Sequence, residues 1–231
     1  MRNHSDLRGL VPMRGFAPVT IVMALTAALG VTACGGGETA DDASPETVEQ
    51  PAAPIAVSTE DAAAVAELAQ PVAMTLARTL QTNLVQAMQE SGPVGAMEFC
   101  NVEALPLTQQ VSEEQGMVVK RTSWQLRNPA NTPDALEVAA LAHFAEAYEA
   151  SGGAIPEDWV QADPDGGFRY YKALPTAAPC LNCHGNDEQL APGVAEALAE
   201  LYPQDQATGF SEGQMRGLLR VAVPASALHG G

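Results

Sequence analysis

The chain has 231 residues, with 11 Lys or Arg against 28 Asp or Glu, so its formal net charge at pH 7 is −17. Such a surface repels nucleic-acid phosphates and anionic lipid headgroups, and no basic stripe along the sequence offsets it. We therefore expect no nucleic-acid partner and favour a partner protein with a basic surface. The length beyond residue 57 suits one domain with a single core.

Residues 1–33 are predicted to be a lipoprotein signal peptide. Three arginines precede an apolar run over 19–30 that is too short to span a bilayer comfortably. The run leads into Val-Thr-Ala-Cys, which resembles the bacterial lipobox, where cleavage precedes a cysteine that then carries lipid. Cys34 is thus the predicted lipidation site. A plain secretory signal followed by a chance cysteine is the alternative.

Residues 34–57 are rich in Gly, Pro and acidic side chains and have little to bury, which predicts a flexible linker. Acyl chains on Cys34 would anchor the protein on the periplasmic side of a bacterial membrane, in an oxidising compartment. Gly35 stands where an aspartate would mark inner-membrane retention in some bacteria, so the outer membrane is favoured. Residues 58–231 remain as the folded domain.

The domain is predicted to begin with a helix. Ser58 or Thr59 can cap a helix whose apolar residues recur on one face, and Pro71 is expected to kink or divide it. Ser-Gly-Pro at 91–93 ends this helix, and a second helix starts near Val94.

From residue 116 the helical spacing of apolar residues gives way to partial alternation. The β-branched and aromatic residues of 116–128 predict a strand, and a loop leads to a helix that begins at Asp134. Two further strands flank Pro-Asp-Gly at 164–166 as a hairpin, and a short helix over 191–203 precedes a final strand over 213–224. Helices first, then strands with a helix inserted, predict an α+β domain on a mostly antiparallel sheet.

Cys180, Cys183 and His184 form the pattern Cys-x-x-Cys-His, which is the attachment site of c-type haem. Thiols one turn apart can both reach the vinyl groups on one porphyrin edge, and the next imidazole can then face the iron. The motif predicts one covalent haem c.

Two other chemistries compete for this motif. A zinc site needs four ligands, and only Cys100, His143 and His229 remain as likely donors. A thioredoxin-like dithiol should follow a strand and open a long helix, whereas here Pro179 precedes the pair and Gly185 ends the segment. Both are weaker interpretations than haem.

The residues alone leave the sixth iron ligand open. Cys100 is the one cysteine without a predicted role, but a buried free cysteine usually acts as a small apolar residue. Methionine is the common sixth ligand in cytochromes c, and the competing donors are Met88, Met97, Met215 and His143.

Arg121 and Arg127 lie on or beside the predicted strand and could pair with haem propionates. Ordinary salt bridges to the many carboxylates are an equal alternative. Three aromatic side chains are expected to pack in the core or against the haem ring rather than to act as redox relays: Trp124, Tyr170 and Tyr171.

Four segments, 96–104, 120–137, 179–185 and 197–221, occur in an order that resembles the family of exported PAS-like domains with one c-type haem, long catalogued as a domain of unknown function. The resemblance covers about 62–224. It implies a PAS-like antiparallel sheet packed by N-terminal helices, with a single haem against it. It also implies an axial pair of histidine and cysteine, which would be His184 and Cys100.

These features predict a membrane-anchored monohaem c-type cytochrome for electron transfer or redox sensing. A gas- or redox-sensing haem module that signals to a partner protein is the alternative, with a small gas molecule as ligand. An enzyme is not expected, because no nucleophile, general base or substrate pocket is indicated around the motif. A thiolate ligand would favour ferric iron and a low reduction potential.

Overall fold

Residues 56–229 are described by a computed structural model; the predicted signal peptide and Cys34 lie outside this range, as does all but the last part of the predicted linker. Among them, the helices are α1 (Thr59–Gln115), α2 (Ala135–Ala150), α3 (Leu181–His184), α4 (Val194–Leu201) and α5 (Ser226–His229). The strands are β1 (Val119–Thr122), β2 (Asp158–Asp163), β3 (Gly167–Pro175) and β4 (Met215–Val223).

Helix α1 is two helical segments joined at Gly92. The φ of this residue is +68° and its ψ is −169°, a conformation that favours glycine, and Pro93 then opens the second segment where its missing N–H costs least. The predicted break at 91–93 is therefore confirmed. Pro71 does not divide the helix, because the apolar face around it is buried against the sheet and outweighs one lost hydrogen bond.

The four strands form one antiparallel sheet in the order β1-β4-β3-β2. One face packs against α1 through Val119, Tyr170, Leu219 and Val221, and the opposite face packs against α2 through Tyr171, Ala173 and Leu218. The hairpin of β2 and β3 and the final strand are as predicted. The predicted PAS-like α+β fold, with an antiparallel sheet packed by N-terminal helices, is confirmed.

The first predicted strand is much shorter than 116–128, since only Val119–Thr122 pairs in the sheet. Beyond it, the Ser123 hydroxyl donates to the Arg216 carbonyl at 2.7 Å, and the chain leaves the sheet. Trp124 lies on this departing segment and is 48% exposed, so it does not pack in the core, and its packing against a ring stays a prediction. Tyr170 and Tyr171 are fully buried, as expected.

A buried carboxylate fixes α2 on the sheet. Glu137 is fully buried, and its oxygens lie 2.6 Å from Lys120 Nζ on β1 and 3.0 Å from Arg220 Nε on β4. The same side chain accepts from the Asp134 backbone N–H and completes a capping box at the start of α2. A buried charge is tolerated only when paired in this way, so Glu137 sets the position of α2.

A third apolar cluster lies beside α4. Met97 of α1 packs there with Val194, Leu198 and Tyr202, and Cys183 lies partly buried against the same group. This packing brings the Cys-x-x-Cys-His motif next to the second segment of α1. None of the helices within 56–229 is long and apolar enough to cross a membrane.

Candidate functional site

The two motif cysteines lie on consecutive short turns between β3 and α4. Cys180 closes a 3₁₀ turn (Ala178–Cys180) and is exposed, while Cys183 lies in α3 and is half-buried. Both are free thiols, as is Cys100. Burial raises the pKa of Cys183, and the charge of Arg127 opposes this rise.

The tautomer of His184 is set by a backbone carbonyl. Its Nδ1 lies 2.7 Å from the Ala207 oxygen, so Nδ1 carries the hydrogen and donates it. Arg216 Nε lies 3.4 Å from the same nitrogen, but a protonated Nδ1 cannot accept from it, so the shorter contact decides. Burial, with the charges of Arg127 and Arg216, lowers the pKa of His184 to about 3. The imidazole is neutral at physiological pH, and its Nε2 lone pair is left for a metal.

The segment 205–210 clamps the end of the motif. The Gly209 N–H donates to the Gly185 carbonyl at 2.8 Å, and the Phe210 N–H donates to the His184 carbonyl at 2.9 Å. Gly185 leaves no room for a side chain, because an added Cβ would lie 2.7 Å from the Leu181 oxygen. The histidine is therefore held by both its ring and its backbone.

Arg127 joins this clamp to the motif. Its Nε lies 3.0 Å from Asp205 Oδ1, and both side chains are about nine-tenths buried, at 10% and 9% exposed. Its Nη2 donates to the Cys183 carbonyl at 2.6 Å and the Ala207 carbonyl at 3.2 Å, and its Nη1 lies 3.7 Å from Met97 Sδ. Arg127 thus forms the salt bridge that was its alternative role, and its propionate contact stays a prediction.

Cys100 lies on the second segment of α1, within electrostatic reach of Cys183 and Arg121. Burial raises the pKa of the Cys100 thiol; the charge of Arg121 opposes this rise, Cys183 adds to it, and Arg127 also opposes it. The structure therefore brings together Cys100, the motif and both predicted arginines.

Arg121 carries a donor that no group within residues 56–229 accepts. Its Nε is buried without a hydrogen-bond partner, and burial lowers the pKa of the guanidinium while Cys100 and Tyr202 oppose that shift. The side chain also lines a cavity of about 360 Å³ between α1 and β1, together with Thr108, Ser112 and Asn131. An unsatisfied buried donor is unfavourable, so this one suits an anionic group.

The other predicted ligands do not share one location. His143 stacks on Trp159 with ring centroids 4.3 Å apart, and Met215 packs against the α2 cluster, both on the face of the sheet opposite α1. Met88 is half-buried in the first segment of α1, and Met97 is buried beside Cys183. No cluster of three or more His, Cys, Asp or Glu side chains in the described range is arranged to hold a metal ion.

Sequence reasoning missed three contributors to the site. Asp205 and Ala207 lie in segment 197–221, which carries part of the family resemblance but gives no sign of what these two residues do. Ala207 acts through its backbone carbonyl, which the type of side chain does not reveal. Arg216 had a signal, since a cation inside the apolar final strand needs an explanation.

Together, fold and site define a PAS-like α+β domain in which a Cys-x-x-Cys-His turn lies beside a cysteine of a long helix. The chain belongs to the Tll0287-like family, whose sequence profile matches residues 47–224. The family indicated by the sequence resemblance is thereby confirmed. A crystal structure of a cyanobacterial haem protein, Tll0287, matches with 25% identity and a TM-score of 0.47, over 65% of this chain and 91% of that chain. No curated protein matches this chain.

Replacing Arg127 with methionine is expected to destabilise the domain by about 3–5 kcal/mol, because Asp205 is left buried without its counter-charge. Urea unfolding measures the loss. Hydrogen exchange should also accelerate at the Gly209 and Phe210 amides, which depend on the same clamp. Arg78→Met, at an exposed position of α1, is the matched control; an equal loss in both variants would contradict the role of Arg127.

Proposed function

We propose that this protein is a membrane-anchored c-type cytochrome that carries one haem and acts in electron transfer or redox sensing outside the cytoplasm. Cys180 and Cys183 would hold the haem through thioethers, and His184 and Cys100 would be the axial ligands. The bound haem would supply a one-electron ferric/ferrous couple. The observation that carries the proposal is the neutral imidazole of His184, with Nδ1 bonded to Ala207 and Nε2 left free, beside two free thiols at haem-attachment spacing.

The surroundings of the motif fit such a group. Cys100 lies close enough to Cys183 and Arg121 to interact electrostatically with both. The unpartnered Nε of Arg121 suits a carboxylate, so Arg121 is our candidate for a haem propionate. Arg127 has most of its donors directed to Asp205 and to backbone carbonyls, and we assign it to holding the motif.

The net charge and the N-terminal sequence support the proposed redox partner and cellular location. Removal of residues 1–33, which carry three arginines and one aspartate, would change the net charge from −17 to −19 and favour a basic redox partner. Lipid on Cys34 would hold the domain at the periplasmic side of the membrane, with the outer membrane favoured. No enzymatic activity is part of the proposal.

Cys34→Ser is expected to move the protein from the membrane to the soluble fraction, because the acyl chains would have no attachment point. Sedimentation of membranes followed by mass spectrometry of the N-terminus measures this. A wild-type protein that lacks acyl mass and is already soluble would point to a plain secretory signal instead.

Cys100→Ala is expected to change the ferric absorption spectrum of the haem-loaded protein, because a thiolate ligand is lost. The control is Met97→Leu, which removes the sulfur of the buried methionine beside Cys183 and should leave the spectrum unchanged. Intact mass confirms in each case that one haem is attached. If Met97→Leu shifts the spectrum and Cys100→Ala does not, methionine holds the iron.

Gas or redox sensing is a second candidate function, favoured by the burial of Cys100. Burial raises the pKa of its thiol, and a neutral thiol is a weaker ligand than a thiolate. Cys100 would then leave the iron on reduction and open a position for a small gas molecule.

Carbon monoxide separates a gas sensor from an electron carrier. If Cys100 leaves on reduction, carbon monoxide should shift the spectrum of the reduced protein at low concentration. An unchanged spectrum would rule out an open site and support an electron carrier with both ligands retained. Cys100→Ala is the positive control, since its iron position is open from the start.

A further inference from the structure

Arg216 lies beside the ring of His184 and is held there firmly. Its Nε is 3.4 Å from His184 Nδ1, and its guanidinium carbon lies 5.2 Å from the centre of the Phe210 ring. Its Nη1 donates to Ser123 Oγ and to the Gln125 carbonyl, both at 2.9 Å. The charge therefore has a fixed position relative to the imidazole.

This charge has no direct counter-ion. Among residues 56–229, no carboxylate forms an ion pair with Arg216, and the nearby Asp205 is bonded to Arg127. The hydrogen-bond acceptors of Arg216 are a hydroxyl and a carbonyl, neither of which cancels a full positive charge. Its field at His184 is therefore not neutralised locally.

We propose that Arg216 raises the reduction potential of the haem by holding a positive charge behind the axial imidazole. The inference rests on the proposed function, which assigns His184 Nε2 to the iron. Arg216 lies at Nδ1, on the other nitrogen of the ring. A fixed cation there stabilises the ferrous state, which carries one positive charge fewer, and withdraws electron density from the imidazole. The thiolate of Cys100 acts in the opposite direction, so the two residues set the potential between them.

The test is a spectroelectrochemical titration of the full-length haem-loaded protein at one pH and ionic strength. Arg216→Gln should lower the midpoint potential, and Arg216→Lys should restore most of it, because lysine keeps the charge. Arg78→Gln makes the same change in net charge at an exposed position and should leave the potential unchanged. A role in folding alone would not lower the midpoint potential of a variant that accumulates and attaches haem normally.

The outcomes are distinct. A midpoint potential in Arg216→Gln equal to that of Arg78→Gln overturns the inference while leaving the cytochrome proposal intact. A wild-type protein without covalent haem overturns both. If Arg216→Gln and the similarly sized Arg216→Met both fail to accumulate while Arg216→Lys matures normally, the charge serves the fold and the tuning role is rejected.

Discussion

The site depends on the hydrogen bonds and the salt bridge that the guanidinium of Arg127 forms. Its donors meet the carbonyl of Cys183 in the motif, the carbonyl of Ala207 in the clamp and the carboxylate of Asp205. The Ala207 oxygen also accepts from His184 Nδ1. The Ala207 carbonyl thus accepts hydrogen bonds from both Arg127 and His184. The orientation of the imidazole therefore depends on the ion pair between Arg127 and Asp205.

Three arginines lie near the motif, although the chain carries a formal net charge of −17. Its surface is strongly acidic, yet Arg121, Arg127 and Arg216 are drawn towards the motif on one side of the fold. Arg127 has a carboxylate partner there, whereas no carboxylate within residues 56–229 forms an ion pair with Arg121 or Arg216. Two uncompensated cations in a protein of this composition make the site attractive to anionic groups such as carboxylates.

Sequence patterns over a few residues predicted the elements that local interactions determine. The helices, the hairpin around 164–166 and the cap at Asp134 follow from periodicity and turn chemistry over a few residues. The motif was also visible, because its spacing is short. Contacts that cross the chain were not: the pairing of Arg127 with Asp205, and of Glu137 with Lys120 and Arg220, depends on tertiary packing. Pro71 does not divide α1 for the same reason, since burial of the helix face outweighs a local preference.

The sheet separates α1 from α2, and this separation has a practical use. Glu137 ties α2 to one face, while Cys100 and α1 belong to the other. Val138 and Tyr148 on α2 are exposed, and the paired strands lie between α2 and α1, the helix that carries Cys100. A dye, spin label or affinity handle attached at either position would report on the protein from across the sheet, away from Cys100.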